Sequence, residues 1–398
     1  MTQTSNINND PQPGAAFGHG FAERLADYPT WSETGASIAA VTDSDVRSVL
    51  ARAARHGGPQ LTTDDFAALI SPAAAPYLEE MAQLAHAYTL ERFGRTVSMY
   101  IPMYVSNACT NKCVYCGFNH DNPFERTVLD MDQVRAECEA IRRLAPFENI
   151  LIVSGEYPAL CGTEYFEKVI RIAREYFHNV TIEVQPMRQA QYARLAEAGL
   201  NGVICFQETY DPVMYREFHP RGMKSIFEWR LNGYDRMGAA GLHKIGLGVL
   251  LGLNPDWRTD AVFMARHLRY LQRRYWRTRY AVNFPRMCPS ESGYQPNCII
   301  SDRELAQLTC AFRLFDHDID ISYSTREAPV FRHNMIALGV TSMSAGSRTE
   351  PGGYCSTPEA LEQFSVTDER TPADVAADIR AAGYEPVWKD WDHVLDNV

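Results

Sequence analysis

From residue 98 onward the chain alternates short apolar runs with amphipathic helical stretches, and that alternation constrains the fold more than any other feature. Eight runs have strand length: SMYIPMYVS (98–106), NILIVSG (149–155), VTIEVQ (180–185), GVICFQE (202–208), KIGLGVLLG (244–252), YAVNFPR (280–286), IDISYS (319–324) and VTSMSA (340–345). Between them lie stretches of helical periodicity, among them MDQVRAECEAIRRLA, TEYFEKVIRIAREYF, AQYARLAEAG, DAVFMARHLRYLQRRYW and DRELAQLTCAFRLF. Alternating β and α units imply a parallel sheet covered by helices, and eight strands over roughly 250 residues is the count of a closed barrel. The expected fold is therefore α/β, a (β/α)8 TIM-type barrel over residues 98–346.

The flanks read differently. Residues 1–30 are polar and punctuated by Gly and Pro, as in a loosely ordered tail. Within 31–97 the stretches SDVRSVLARAARHG (44–57) and TTDDFAALISPAAAPYLEEMAQLAHAYTLERFG (62–94) predict a helical extension packed outside the barrel, with Thr62 and Thr63 as caps and a proline break near 72. Residues 347–398 hold Gly/Pro turns, one short helix (TPADVAADIRAAG) and the aromatic ending VWKDWDHV, expected to wrap the barrel as irregular structure. A net charge of −11, from 38 basic and 49 acidic residues, argues against nucleic acid or an anionic membrane as partner. IGLGVLLGL, the longest apolar stretch, is too short to span a bilayer, and the opening MTQTSNINNDPQPG lacks a signal-peptide pattern. A cytoplasmic setting is expected.

In such barrels the chemistry collects at the C-terminal strand ends. The sequence places Cys109, Cys113 and Cys116 after strand one, Gly155 and Glu156 after two, and Glu183 and Gln185 at three. Gln207, Glu208 and Thr209 follow at four, Arg286 at six, Arg326 and Glu327 at seven, and Ser342 to Ser347 at eight. Ten cysteines in a reducing compartment are not a disulfide framework, and only the trio is clustered. Thiolates suit zinc or iron–sulfur clusters. A Cys3His zinc site completed by His120 is one reading, and a chance grouping is another. The third is a four-iron cluster with three protein thiolates and one iron left open to a small molecule. Position at a barrel strand end favours the third, since a structural zinc loop has no need of the strand ends.

CX3CX2C with an aromatic, Tyr115, before the last cysteine resembles the signature of the radical S-adenosylmethionine superfamily. The resemblance implies a [4Fe-4S] cluster on Cys109, Cys113 and Cys116, with S-adenosyl-L-methionine chelating the open iron. The reduced cluster then cleaves that cofactor to methionine and a 5′-deoxyadenosyl radical. Gly155-Glu156 is similar to the segment that receives the cofactor's amino group, reading SGE where the family has GGE. By the same resemblance Tyr115 lies near the adenine. Glu183, Gln185, Gln207 and Glu208 stand where the family places ribose contacts, with no choice made among them.

LISPAA, YCGF, SGE, EVQP, FQETY, KIGLGVLLGL, FPR, STRE, SAGSRTEPGGY and VWKDW together resemble the 2-iminoacetate synthases, tyrosine lyases of thiamin thiazole synthesis. What this implies is cleavage of the Cα–Cβ bond of L-tyrosine to 2-iminoacetate (dehydroglycine) and p-cresol. A low-potential electron donor of flavodoxin type and a thiazole synthase subunit are the implied partners. The related tyrosine lyase of [FeFe]-hydrogenase maturation carries a C-terminal CX2C and a further cysteine, whereas Cys355 stands alone after residue 347. A tryptophan lyase would share the carboxylate grip. A sulfur-inserting or methylating enzyme would need a second cluster or an extra catalytic cysteine.

A free amino acid needs a cation and donors for its carboxylate, and Arg is the natural bidentate partner. Arg326, facing the hydroxyls of Ser342 and Ser344, is the expected grip. The competing readings are a salt bridge from Arg326 to Glu327 or another rim acid, turn hydroxyls bonding their own backbone for the serines, and an N-cap or solvated carboxylate for Glu156. SRTEPGGY near the barrel mouth is the expected lid.

Overall fold

In the computed structural model, which describes residues 20–55, 58, 60–355 and 360–389, all eight expected strands form. They are β1 (Thr96–Ser106), β2 (Asn149–Ser154), β3 (Asn179–Glu183), β4 (Gly202–Glu208), β5 (Lys244–Val249), β6 (Arg279–Asn283), β7 (Asp320–Tyr323) and β8 (Ser342–Ser344). Each pairs in parallel with the next, and β1 pairs with both β8 and β2, so the sheet closes. Helices at 131–144, 163–176, 189–197, 257–274 and 302–315 follow the strands as expected and cover the outside.

Strand alternation decides which residues face the barrel axis. On β1, Met99, Ile101, Met103 and Val105 pack outward into the main core, while Tyr100, Pro102 and Tyr104 line the interior. Inward positions on later strands are small or polar, as at Gly246 and Gly248 on β5, Asn283 on β6, Ser322 on β7 and Ser344 on β8. A packed barrel fills those layers with branched aliphatic side chains. Here the small residues leave space under the mouth, and Phe206 of β4 lies across Gly248, where a Cβ would stand 2.4 Å from its ring.

Pro102 sits in the middle of β1, a position that normally needs a ladder N–H. β8 pairs only with Ser98–Tyr100, so Pro102 faces the space beyond that strand's end. The Tyr354 hydroxyl caps the Pro102 carbonyl there at 2.7 Å.

The flanks require two corrections. Residues 20–30 are not a loose tail. Phe21 begins a helical turn (Phe21–Arg24), is fully buried, and stacks on His267 with ring centroids 4.1 Å apart. A further helix, Trp31–Ala39, starts at a Thr30–Glu33 capping box and stacks Trp31 on Phe263. Residues 1–19 lie outside the described part. Beyond these, helices Asp43–Ala53, Thr63–Ile70 and Leu78–Phe93 form the expected extension, with Thr62 as cap and a 3-10 segment from Pro72. Phe66 packs on Phe312 and Phe315, burying the 302–315 helix from outside.

The C-terminal segment is not wholly irregular either. After its helix (Pro372–Ala381) it adds a ninth strand, β9 (Glu385–Val387), parallel to β1 at Thr96–Ser98. The Trp388 carbonyl then accepts from the Glu148 N–H and the Asn149 amide. Among the described residues no helix is long and apolar enough to cross a membrane.

Candidate active site

The loop after β1 carries the three cysteines and is fixed from several sides. The Thr110 N–H and hydroxyl donate to the Glu156 carbonyl after β2, and Lys112 and Val114 donate to the carbonyls of Arg221 and Phe218 after β4. The Arg126 guanidinium donates to the carbonyls of Asn107, Phe118 and Asn119. Gly155 is where β2 meets this loop: a Cβ there would lie 2.3 Å from the Ala108 carbonyl oxygen. Only glycine permits that approach.

Cys109 and Cys113 are buried, and Cys116 reaches the cavity wall. Burial raises all three thiols, Cys109 to about 11, so a bound cation is what would make them thiolates. A tetrahedral zinc ion needs all its thiolates about 2.3 Å from one point. Among the described residues no three His, Cys, Asp or Glu side chains gather around a single ion in that way. His120 directs Nδ1 at the Cys109 carbonyl, 3.2 Å away. Three soft donors on one loop beside an open cavity suit a multi-iron cluster that keeps one iron for a small molecule.

That cavity is lined by Tyr104, Tyr115, Glu183, Glu208, Lys224 and Arg326, together with Ser344 and Ser347. Glu208 has φ +70° at a register slip in β4, a bulge that turns its carboxylate onto Lys224 Nζ at 2.6 Å. The Tyr115 hydroxyl lies 2.9 Å from His219 Nε2, while His219 Nδ1 meets the Tyr215 carbonyl at 2.8 Å. Burial holds His219 well below its usual range, and a carbonyl needs a donor, so Nδ1 carries the proton and Tyr115 donates to Nε2. Burial raises Glu183, with help from nearby Glu208, to about 7.

Arg326 forms no salt bridge with Glu327. Arg286 takes that carboxylate instead, through Nε at 2.9 Å and a second, Nη2, contact. Arg326 pairs with no carboxylate among the described residues, and its Cζ stands 3.3 Å from the Phe364 ring centroid. The Ser344 hydroxyl accepts from the Thr325 N–H at 3.1 Å and lies 3.3 Å from the Ser347 hydroxyl.

Four expected site residues are placed elsewhere or otherwise engaged. Ser342 lies two residues below Ser344, opposite Ser98, and faces the lower barrel, too deep to share the mouth. Gln185 donates to the Cys161 carbonyl at 2.6 Å, and Gln207 is fully buried, with no partner for its amide among the described residues; neither lines the cavity. Glu156 is neither a cap nor solvated: its carboxylate accepts from Asn111 at 2.8 Å and from Arg230 at 2.7 Å.

The sequence reading missed Lys224, His219, Arg230, Gln363 and Phe364. The stretch HPRGMKS (219–225), polar and glycine-punctuated after strand four, signals the first two. Gln363 and Phe364 carry no local signal. They reach the mouth because the tail crosses it, with Gly117 donating to the Gln363 carbonyl and Tyr104 donating to the Gln363 side chain at 2.7 Å. SRTEPGGY contributes Ser347 and Thr349 to the lining and then turns away at Tyr354.

The Radical SAM superfamily profile matches residues 103–265, from β1 through the helix after β5, and that of the Biotin and Thiamin Synthesis associated domain matches 283–385. Barrel, cysteine loop and profile together define a radical S-adenosylmethionine enzyme, whose class works with a [4Fe-4S] cluster and S-adenosylmethionine. Whole-chain similarity narrows this. The 2-iminoacetate synthase of Escherichia coli (strain K12) is 46% identical over 92% of this chain and 95% of its own. That of Salmonella typhimurium is 45% identical with the same coverage. The chain belongs to the 2-iminoacetate synthase family. Among solved structures, HydG, a maturase of the [FeFe]-hydrogenase, superposes with a TM-score of 0.84 at 29% identity, covering 90% of this chain and 79% of that one.

Proposed function

We propose that this chain cleaves the Cα–Cβ bond of L-tyrosine to 2-iminoacetate and p-cresol, as a radical S-adenosylmethionine lyase supplying thiamin thiazole synthesis. The observation that carries the reading is 46% identity along nearly the whole length of a 2-iminoacetate synthase. The cavity supports it residue by residue. Cys109, Cys113 and Cys116 hold the cluster, and Gly155 lets β2 close against their loop. When bound, the cluster and S-adenosylmethionine supply a 5′-deoxyadenosyl radical that takes a hydrogen atom from the substrate. Tyr115, Glu183 and Glu208 are the polar groups on the cavity wall available to the cofactor. Arg326, free of acidic partners, takes the tyrosine carboxylate, with the Ser344 and Ser347 hydroxyls beside it. The tail at Gln363–Phe364 covers the mouth and keeps water from the reacting carbon.

The imine hydrolyses in water, so direct transfer to a thiazole synthase subunit belongs to this reading, as do a flavodoxin-type reductant and a cytoplasmic setting. Identity favours this reading over a hydrogenase-maturation lyase: 46% to a 2-iminoacetate synthase against 29% to HydG. Anaerobic incubation of cluster-loaded protein with S-adenosylmethionine, a reductant and each aromatic amino acid tests the proposal. The expected result is p-cresol, 5′-deoxyadenosine and glyoxylate from tyrosine, without cyanide. Cofactor cleavage that yields no p-cresol would overturn it.

A further inference from the structure

The segment Gln363–Asp368 crosses the barrel mouth and is bonded to four of the loops that build it. Its Gln363 carbonyl accepts from Gly117 in the cysteine loop, and the Gln363 N–H donates to Thr349 after β8. Ser365 donates to the Pro289 carbonyl after β6, and Thr367 and Asp368 both donate to the Thr325 carbonyl after β7, at 2.9 and 3.0 Å. Asp368 pairs with Arg332 where both side chains are fully buried, which anchors the far end. The Thr349 hydroxyl donates to the Phe364 carbonyl at 2.9 Å, so the backbone that carries this ring is held from two directions.

Phe364 therefore presents its ring as a fixed plate, with the Arg326 Cζ over it, 3.3 Å from the ring centroid. Two carboxylates compete for that cation. Glu327, its neighbour in sequence, is taken by Arg286. Glu183 lines the same cavity and attracts Arg326 electrostatically. A flexible arginine beside a buried carboxylate would swing onto it unless something else held the guanidinium. The stack on Phe364 supplies that hold, and the side-chain hydrogen bond of Arg326 with the Cys288 thiol engages only part of the five-donor guanidinium, so donors remain for a carboxylate.

We propose that Phe364 is a positioning residue, which keeps Arg326 off Glu183 and presents its N–H edge to the carboxylate of the amino acid substrate. This rests on the tyrosine lyase reading. It predicts that the ring matters for the carboxylate end of the substrate and not for the amine end.

The test uses cluster-loaded protein and two tyrosine analogues as competitive inhibitors. 4-Hydroxyphenylpropanoate keeps the carboxylate and lacks the amine; tyramine keeps the amine and lacks the carboxylate. Phe364→Leu removes the ring face but retains most of the volume. It is expected to raise KM for tyrosine about tenfold, with kcat within about twofold, and to weaken the acid's inhibition by a similar factor. Inhibition by tyramine should be unchanged, and Phe364→Tyr should restore wild-type values. Equal weakening of both inhibitors, or no rescue by Tyr, would overturn the proposal and leave Phe364 a lid residue only. Arg326→Gln separates the two readings. If it leaves tyrosine and the acid unaffected, the carboxylate grip itself fails and the positioning role with it. If Arg326→Gln weakens both and Phe364→Leu weakens neither, only the positioning role is overturned.

Discussion

Arg230 Nη1 lies 2.7 Å from the Glu156 carboxylate, and both side chains are almost wholly enclosed. Burial works against the charge on Glu156, yet Arg230 and Lys224 hold its carboxyl below the usual range. The other Glu156 oxygen accepts from Asn111, two residues beyond Cys109, so the pair ties the cysteine loop to the ends of β2 and β4. Removing one partner of such a pair leaves an uncompensated buried charge. Arg230→Met is expected to cost about 3–5 kcal/mol of stability and to lower the iron and sulfide retained after reconstitution. Adding Glu156→Gln to that variant should recover part of the loss, because the orphaned charge is gone. Unfolding curves and iron analysis of the single and double variants measure both effects.

The cysteines divide sharply. Cys109→Ala, Cys113→Ala and Cys116→Ala are each expected to abolish the cluster, read as loss of its visible absorbance and of acid-labile sulfide. Cys355 is exposed and lies outside the cavity lining, with its backbone N–H on Glu137. Cys355→Ala should keep full p-cresol formation, and its failure to do so would reopen the hydrogenase-maturation reading.

Ser342 and Ser344 share a strand face but not a layer, since inward residues two apart are separated by about 6.6 Å along the strand. Ser344 and Ser347 line the mouth cavity together with Arg326, while Ser342 faces the polar lower cavity with Lys244 and Asp320. Ser344→Ala removes a cavity hydroxyl and strands the Thr325 N–H, so KM for tyrosine should rise about five- to tenfold. Ser342→Ala should stay within about twofold of wild type. The reverse order in steady-state kinetics would mean that the substrate reaches deeper into the barrel than the mouth.

The pattern of these roles explains what could be read in advance. Strand positions were legible because a half-buried strand repeats every two residues, and the cysteine trio because its spacing is local. Phe21 was hidden in a polar stretch, since a single buried aromatic has no periodicity. β9 is three residues long and forms only because β1 leaves an edge below β2. Ser342 and Ser344 looked equivalent because sequence gives the face of a strand but not its depth. Phe364 and Gln363 are assigned by chain crossing alone, a long-range fact that no local pattern encodes. The glutamines failed for two reasons: Gln207 lies between the inward Phe206 and Glu208, so alternation itself turns it away from the axis, and Gln185 lies beyond the end of β3, where the alternation no longer holds.

Glu183 gives a prediction whose sign can be worked out. Burial, and after it the neighbouring Glu208, raise its carboxyl from an unfolded value near 4.5 to about 7. Between these values the folded state binds a proton that the unfolded chain has released, so folding stability falls as pH rises through that window. The full cost is present above about pH 7 and absent below about pH 4.5. Glu183→Gln removes the titration while keeping shape and polarity. In protein free of cluster and cofactor, the variant should match wild type near pH 4 and exceed it at pH 8. A margin of about 1–3 kcal/mol is expected there, which denaturant unfolding at the two pH values reads directly. Parallel stability profiles would mean that Arg326 and Lys224 already neutralise Glu183, and that the guanidinium is less free than its stacking on Phe364 indicates.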